Sequence, residues 1–343
     1  MKFGLTFGFI VPPGGEISQQ QPYLDMLACL PRAEALGYTS VHQTEHHFQF
    51  DGHSPSPLIG MTAAAMRTEE MRVCTNVLLV PLYAPMRLAE DIAVLDNLSN
   101  GRFTFGVAPG YASEEFAGHG VPYAERFRRF EEALDLLQSA WTQDTFEFDG
   151  EFFKVPPTRL TPKPVQSPHP PIWYGVSGPK LLRRAAKRHC VLVASPRHTT
   201  AELKEHFRVY EEAGREFGFT PTERPAMKGV FVAETRDKAE AIAGPAITQL
   251  FVNLYGKKSA QGERPLRNDQ GEVITDMNQV DFETFKSRYV IGDPETACEQ
   301  LRAMDNELAL TELTCWMHLP GISQRDAMNS VELFAREVMP EFT

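Results

Sequence analysis

The chain has 343 residues, 42% of them hydrophobic and 23% charged, enough to bury a large core without disulfides or a structural metal, which excludes a disordered chain and a small stapled scaffold. Lys plus Arg total 34 against 45 Asp plus Glu, a formal charge of −11. Such a surface repels phosphate backbones and anionic lipid, so neither nucleic acid nor a membrane is an expected partner.

Length alone leaves two ordinary domains or one enlarged α/β barrel. The opening MKFGLTFGFIVPPGG is too short an apolar run to span a bilayer and lacks a small-residue cleavage site, so it reads as a first strand, Lys2 to Ile10. Seven further apolar or β-branched runs follow: Ser40 to Thr44, Val73 to Val80, Phe103 to Val107, Ile172 to Gly175, Val191 to Ala194, Met227 to Ala233 and Leu313 to Met317. Between them lie amphipathic stretches, among them Tyr23 to Leu36, Leu58 to Arg67, Leu88 to Leu98, Arg126 to Trp141, Ala201 to Phe217 and Thr296 to Met304. Alternating β and α elements, with strands apolar on both faces, predict a parallel sheet; eight units predict a single closed (β/α)8 TIM barrel over 1–343, with insertions.

Two irregular stretches are assigned to insertions. Residues 155–171 carry seven prolines and predict an extended connection into the fifth strand. Residues 253–288 are polar and glycine-bearing, and at the C-terminal face of a barrel they predict a lid over the active site. No apolar run reaches membrane-spanning length. Five scattered cysteines without C-x-x-C spacing read as reduced thiols of a cytosolic protein.

The densest chemical cluster is VHQTEHHF, Val41 to Phe48. Polar residues at the C-terminal ends of barrel strands face the active site. With period two, His42, Thr44 and His46 share one face. The pair His42 and His46 has metal-ligand spacing, but the glutamate of H-E-x-x-H is missing, which disfavours a metal and leaves a structural imidazole or a general acid or base. The pairs Glu69-Glu70 and Glu114-Glu115 are expected on solvated faces, so no positioned acid and base of a glycosidase is found. P-loop, G-x-S-x-G and G-x-G-x-x-G fingerprints are absent from the sequence.

AEALGYTSVHQTEHHF, the following SPSPLIGMTAAAMRTEEMRVCTNVLLVPLYAPMRLAEDIAVLDNLSNGRFTFGV, GVPYAERFRRFEEALDLL, PKPVQSPHPPIWYGVSG and IGDPETACEQL together resemble the bacterial luciferase-like, flavin-dependent monooxygenases. The resemblance runs nearly the whole chain in order. It implies a cytoplasmic, usually homodimeric (β/α)8 enzyme that takes reduced FMN from a separate NAD(P)H-flavin reductase. O2 then adds to the flavin as a C4a-hydroperoxide that oxygenates a small organic substrate, an aldehyde in the luciferases.

Residue by residue, the resemblance gives His46 as the catalytic histidine. It gives Thr75, Asn76 and Val77 beneath the flavin ring, with a cis peptide between the last two, and Tyr111, Ser177, Gly178, Ala194 and Ser195 around the rest of the cofactor. Three positions depart from the family pattern. Ala108 replaces a cysteine, Pro109 replaces the arginine that binds the flavin phosphate, and Val176 replaces a glutamate, so the cofactor is expected to be weakly retained. The alternatives left open are a deazaflavin-dependent hydride transferase of the same fold and a non-catalytic flavin-binding relative. Phe7, Phe9, Phe48 and Trp316 are candidates to line an apolar substrate pocket.

Overall fold

The computed structural model describes residues 1–12, 14, 17–256, 267–277 and 280–342. In chain order its elements begin β1 (Lys2–Phe7), α1 (Gln21–Ala35), β2 (Ser40–Gln43), α2 (Pro57–Ala65), β3 (Arg72–Thr75), β4 (Leu78–Leu79), α3 (Pro85–Leu98) and β5 (Phe103–Ala108). They continue with α4 (Ser113–Gly118), α5 (Arg126–Thr142), β6 (Phe146–Asp149), β7 (Lys154–Thr158), β8 (Ile172–Tyr174), α6 (Pro179–Lys187), β9 (Val191–Leu192) and α7 (Thr200–Glu216). The chain ends with β10 (Pro225–Val232), α8 (Arg236–Leu250), β11 (Val290–Gly292), α9 (Pro294–Leu308), β12 (Glu312–Trp316) and α10 (Gln324–Glu337).

Eight strands run in the order β10-β12-β1-β2-β3-β5-β8-β9. A parallel bridge between Ala194 and Ala226 returns the last of them to β10, with Met227 N–H donating to the Ala194 carbonyl at 3.1 Å. This is the expected closed (β/α)8 barrel, and all eight sequence-predicted strands are its staves. Several run shorter than expected, with β2, β8 and β9 ending one or two residues early. Phe9 turns the chain out of β1 at φ +59°, and the third stave is interrupted at Asn76-Val77 before β4 resumes alongside β5.

The helices jacket the barrel through apolar stripes. In α5 the buried Phe130, Ala133, Leu134, Leu137, Ala140 and Trp141 recur at helical spacing. Phe130 meets the Tyr174 ring edge-on at 5.0 Å, and Trp141 Nε1 donates to the Ala89 carbonyl at 3.1 Å. Each such aromatic contributes about 1.5–3 kcal/mol by burial. Helix α9 starts as its sequence implies, with Asp293 accepting from Thr296 N–H at 2.9 Å and Pro294 in the first turn.

The Pro-rich stretch is extended, but its first residues form β7, paired antiparallel to β6. Two of its prolines follow cis bonds, Thr161-Pro162 and Ser167-Pro168. Strand β11, inside no expected element, pairs with Val230 to Val232 of β10, beyond the point where β12 leaves that strand. Part of the expected lid, 257–266 and 278–279, lies outside the described residues.

Candidate active site

A cavity of about 270 Å³ opens at the C-terminal ends of the staves. Thr44, Asn76, Ala108, Gly175, Ser195 and Trp316, each at or just past the end of a different strand, all reach it, as does Met227 from within β10. That convergence is what a barrel provides at this face.

The chain turns under the cavity at Thr75-Asn76-Val77, where the peptide between Asn76 and Val77 is cis, as the resemblance implies. Glycines on the neighbouring staves allow this. A Cβ on Gly106 would lie 1.9 Å from the Thr75 carbonyl oxygen, and one on Gly175 would lie 2.7 Å from Val77 Cγ1. Asn76 N–H donates to the Gln43 carbonyl at 2.8 Å, fixing the main chain. The Asn76 side chain is 7% exposed, and its Nδ2 has no hydrogen-bond partner among the described residues. Asn76 and Val77 line the cavity. Thr75 does not, because its hydroxyl is turned away to donate to the Gly106 carbonyl at 2.7 Å.

Beyond β2 the chain leaves extended pairing at Gln43, so the expected single face of His42, Thr44 and His46 splits. His42 lies fully buried below the cavity, while Thr44, Glu45 and His46 line it. Glu45 is consumed in structure: Oε1 accepts from the Tyr83 hydroxyl at 2.6 Å and pairs with His47 Nε2 at 2.8 Å, and Oε2 accepts from Leu79 N–H at 2.6 Å. His47 therefore supports the loop, as expected. His46 Nδ1 lies 2.8 Å from Glu115 Oε1, and the same oxygen accepts from His47 N–H at 3.1 Å. Nε2 of His46 faces the Tyr111 hydroxyl at 3.4 Å. The ring meets a second cavity imidazole, His53, edge-on at 4.5 Å, and His53 Nε2 is 2.9 Å from Thr44 Oγ1.

Glu115 corrects the sequence reading. It was expected on a solvated face, yet it has no exposure at all. Helix α4 folds back from β5 and turns it inward, and only its neighbour Glu114 follows the solvated pattern.

Elsewhere the cavity is lined by Val176, Ser177 and Leu181 around the start of α6 and by Tyr123, Arg126 and Phe127 around the start of α5. Gly178 (φ +89°), not Ser177, is the residue that caps α6; it lies outside the wall, and Ser177 takes no capping bond. The Arg126 guanidinium stacks on the Tyr123 and Phe127 rings at 3.8 and 4.2 Å and donates through Nη1 to the Tyr123 carbonyl at 3.0 Å. Its Nε is buried without a partner among the described residues. Sequence reasoning missed Arg126. The available signal was an arginine in the first turn of the long helix that follows β5 and its departing Pro109.

Ala194 and Ser195 lie on the wall as expected, with Pro196, Arg197 and His198 after them. Two buried cations behind the wall hold this loop: Lys228 Nζ donates to the His198 carbonyl at 2.6 Å and Arg288 Nη1 to the Arg197 carbonyl at 2.8 Å. Burial, with Arg288 nearby, pushes the Lys228 ammonium down to about 7. Arg288 is anchored in turn by Asp269 at 2.9 Å, so the described end of the 253–288 segment is bound to the cavity wall.

Of the four aromatics considered for an apolar pocket, only Trp316 lines the cavity. Phe7 and Phe9 are buried behind β1, stacked on each other at 6.2 Å and, for Phe9, on Tyr23 at 4.2 Å. Phe48 is 64% exposed on the outer surface, turned there by a positive φ of 57°.

Below the cavity the barrel interior is polar. Glu312 binds Ser40 Oγ at 2.5 Å, His42 Nε2 at 3.3 Å and the Arg72 guanidinium. Burial pushes the Glu312 carboxyl up, but His42 and Arg72 outweigh that and hold it down at about 2. Burial lowers His42, while the Cys74 sulfur and Glu312 outweigh it and raise the imidazole to about 9. This triad supports the floor of the site without reaching the cavity.

A closed barrel with a mostly apolar cavity at its mouth, a buried histidine–carboxylate pair and buried polar atoms left without partners among the described residues has the form of a barrel enzyme's active site. The chain belongs to the luciferase-like monooxygenase family, whose model matches residues 1–311. Over 354 aligned residues it is 26% identical to the oxygenase component of flavin-dependent trigonelline monooxygenase from Acinetobacter baylyi, covering all of this chain and 96% of that one. Among solved structures, the oxygenating constituent of 3,6-diketocamphane monooxygenase from Pseudomonas putida, in complex with FMN, superposes with a TM-score of 0.84 at 22% identity, covering 100% and 99% of the two chains. An F420-dependent secondary alcohol dehydrogenase superposes at 0.78 with 19% identity, covering 100% and 99%. At these identities the solved structures establish the fold.

Proposed function

We propose that this protein is the oxygenase of a two-component system, binding reduced FMN delivered by a separate NAD(P)H-flavin reductase and using O2 to oxygenate a small organic substrate. The observation that carries this reading is that two residues lining different parts of the cavity, Asn76 and Arg126, each keep a buried polar atom without a partner among the described residues, Nδ2 of the first and Nε of the second. A flavin mononucleotide offers a polar ring edge to the first and a phosphate to the second. Arg126 thereby supplies the cation missing at Pro109, and it offsets the departures at Ala108 and Val176 that suggest a non-catalytic relative. Asn76 and Val77 would support the ring, with Ser177, Ala194, Ser195 and Tyr111 around it. When bound, the reduced flavin supplies the two electrons for activating O2. His46, held through Nδ1 by Glu115, would move a proton at Nε2, and the apolar wall of Trp316, Met227 and Val193 would exclude water.

The name of the trigonelline relative, an oxygenase component, supports the separate reductase. The described end of the 253–288 segment, residues 267–277 and 280–288, is read as part of a cover for the cavity, on the ground of the Arg288 tie, and the chain as one barrel domain in the cytoplasm. A homodimer is supported by exposed apolar residues on adjacent helices, Ile59 (74%) and Met66 (58%) around α2 and Val94 (44%) and Leu98 (47%) on α3. Anaerobic titration with reduced FMN and with reduced F420, followed by mixing with oxygenated buffer, tests the reading. Binding of FMN with rapid oxygen uptake is expected; tight F420 binding without oxygen uptake would transfer the protein to the hydride-transfer alternative.

A further inference from the structure

The Tyr111 hydroxyl on the cavity wall is placed to carry a proton. The chain enters Tyr111 from Gly110, at φ +74°, and the Tyr111 carbonyl accepts from the Tyr123 hydroxyl at 3.0 Å, which fixes its main chain. Its ring lies edge-on to His46, 5.7 Å between centroids, with the hydroxyl 3.4 Å from Nε2. Across the imidazole, Nδ1 faces Glu115 Oε1 at 2.8 Å. A carboxylate only accepts, so neutral His46 keeps its proton on Nδ1 and turns the Nε2 lone pair toward the phenol. Hydroxyl, imidazole and buried carboxylate then stand in the order that moves a proton in a hydroxyl–His–acid arrangement, recognised by geometry and role and not by sequence position. A gap of 3.4 Å is ordinary before reactants bind.

The geometry points to Tyr111 as a catalytic residue whose phenol delivers a proton to the bound reactants, refilled by His46, with Glu115 as the positioning residue that fixes the tautomer. In the delivering direction the Tyr111 O–H bond breaks as its proton passes to an oxygen atom of the reactants. The phenolate then takes the Nε2 proton of a His46 that has been protonated at Nε2 by solvent hydronium at the cavity mouth, and His46 returns to the neutral Nδ1–H form ready for the next proton. No electrons are transferred in these steps. The identity of the reactants rests on the flavin reading above; the tautomer does not.

The test has two arms. In flavin-free protein labelled with ¹⁵N-histidine, the neutral His46 ring is expected as the Nδ1–H tautomer. Glu115→Gln should keep that tautomer because its amide carbonyl still accepts, and Glu115→Ala should release it. An Nε2–H tautomer in the unsubstituted protein, or no change in Glu115→Ala, overturns the assignment of Glu115. In the second arm, protein loaded with reduced FMN is mixed with oxygenated buffer and hydrogen peroxide release is followed. Tyr111→Phe should slow it by about 10²-fold, and adding His46→Asn should slow it little further, because the two groups act in series. Losses that multiply in the double variant, or a Tyr111→Phe rate within about 3-fold of the unsubstituted protein, refute the relay. Absence of oxygen uptake by every protein, the unsubstituted one included, would instead sink the flavin reading, and the relay would fall with it as a catalytic device.

Discussion

Arg126 gives the most direct check on the cofactor assignment. Its guanidinium is held by two aromatic rings and one carbonyl, while Nε is left without a partner among the described residues. A phosphate reaching that edge would gain a charge-assisted hydrogen bond worth about 1.5–3 kcal/mol. Arg126→Ala should therefore weaken reduced FMN binding by roughly 10- to 150-fold. Arg126→Lys, which keeps the charge but loses the planar fork and its stacking, should fall between. The assay is anaerobic titration with reduced FMN and, in parallel, with reduced riboflavin, which lacks the phosphate. Riboflavin affinity should be unchanged within about 2-fold, since the lost stacking amounts to only about 0.5–1 kcal/mol per ring and acts on the protein itself. Parallel losses for both ligands, or an FMN loss below about 3-fold, would refute the phosphate role.

Three further outcomes follow from the geometry. Glu312→Gln leaves the buried His42 and the part-exposed Arg72 facing a neutral amide at a buried position and should cost about 3–5 kcal/mol. At about 2.1 cal/mol/K per residue over 343 residues this is a Tm loss of roughly 4–7 °C, and calorimetry showing less than about 1 °C would contradict it. His42 is raised in the folded protein, so its share of that stability is complete below its ordinary value near 6.5 and is lost as pH rises through about 9. The deficit of the Gln variant should therefore narrow between pH 6 and pH 10 without vanishing, since Arg72 stays charged. Gly106→Ala would drive a methyl into the Thr75 carbonyl; a stability loss of about 1–3 kcal/mol by denaturant titration, with weaker FMN binding, is expected, and a silent substitution would show that the turn at Asn76 is not held by close approach. His46→Asn should lower the rate of substrate oxygenation by about 10²–10⁴-fold while circular dichroism stays unchanged.

Local pattern determined the architecture. Runs such as Phe103 to Ala108 are apolar on both faces, and a strand of that kind is stable only inside a parallel sheet covered by helices, so eight of them separated by amphipathic helices leave little besides a barrel. The order of motifs placed His46, Asn76, Tyr111, Ser177, Ala194 and Ser195, because each sits at or just beyond a strand end and the barrel gathers all such ends at one mouth. What the sequence could not determine depends on orientation around a turn or across the barrel. Glu115 and Glu114 are chemically equivalent in the chain; only the way α4 folds back from β5 buries one against His46 and leaves the other in water. Arg126 reads as one more charge on an amphipathic helix until its first turn is seen to line the cavity. Phe7 and Phe9 read as pocket aromatics, yet the tertiary packing turns them outward against Tyr23 and His318. Periodicity states which residues share a face of one element; which faces meet is decided by burial summed over the whole fold, and the polar groups of this site are partnered across that boundary.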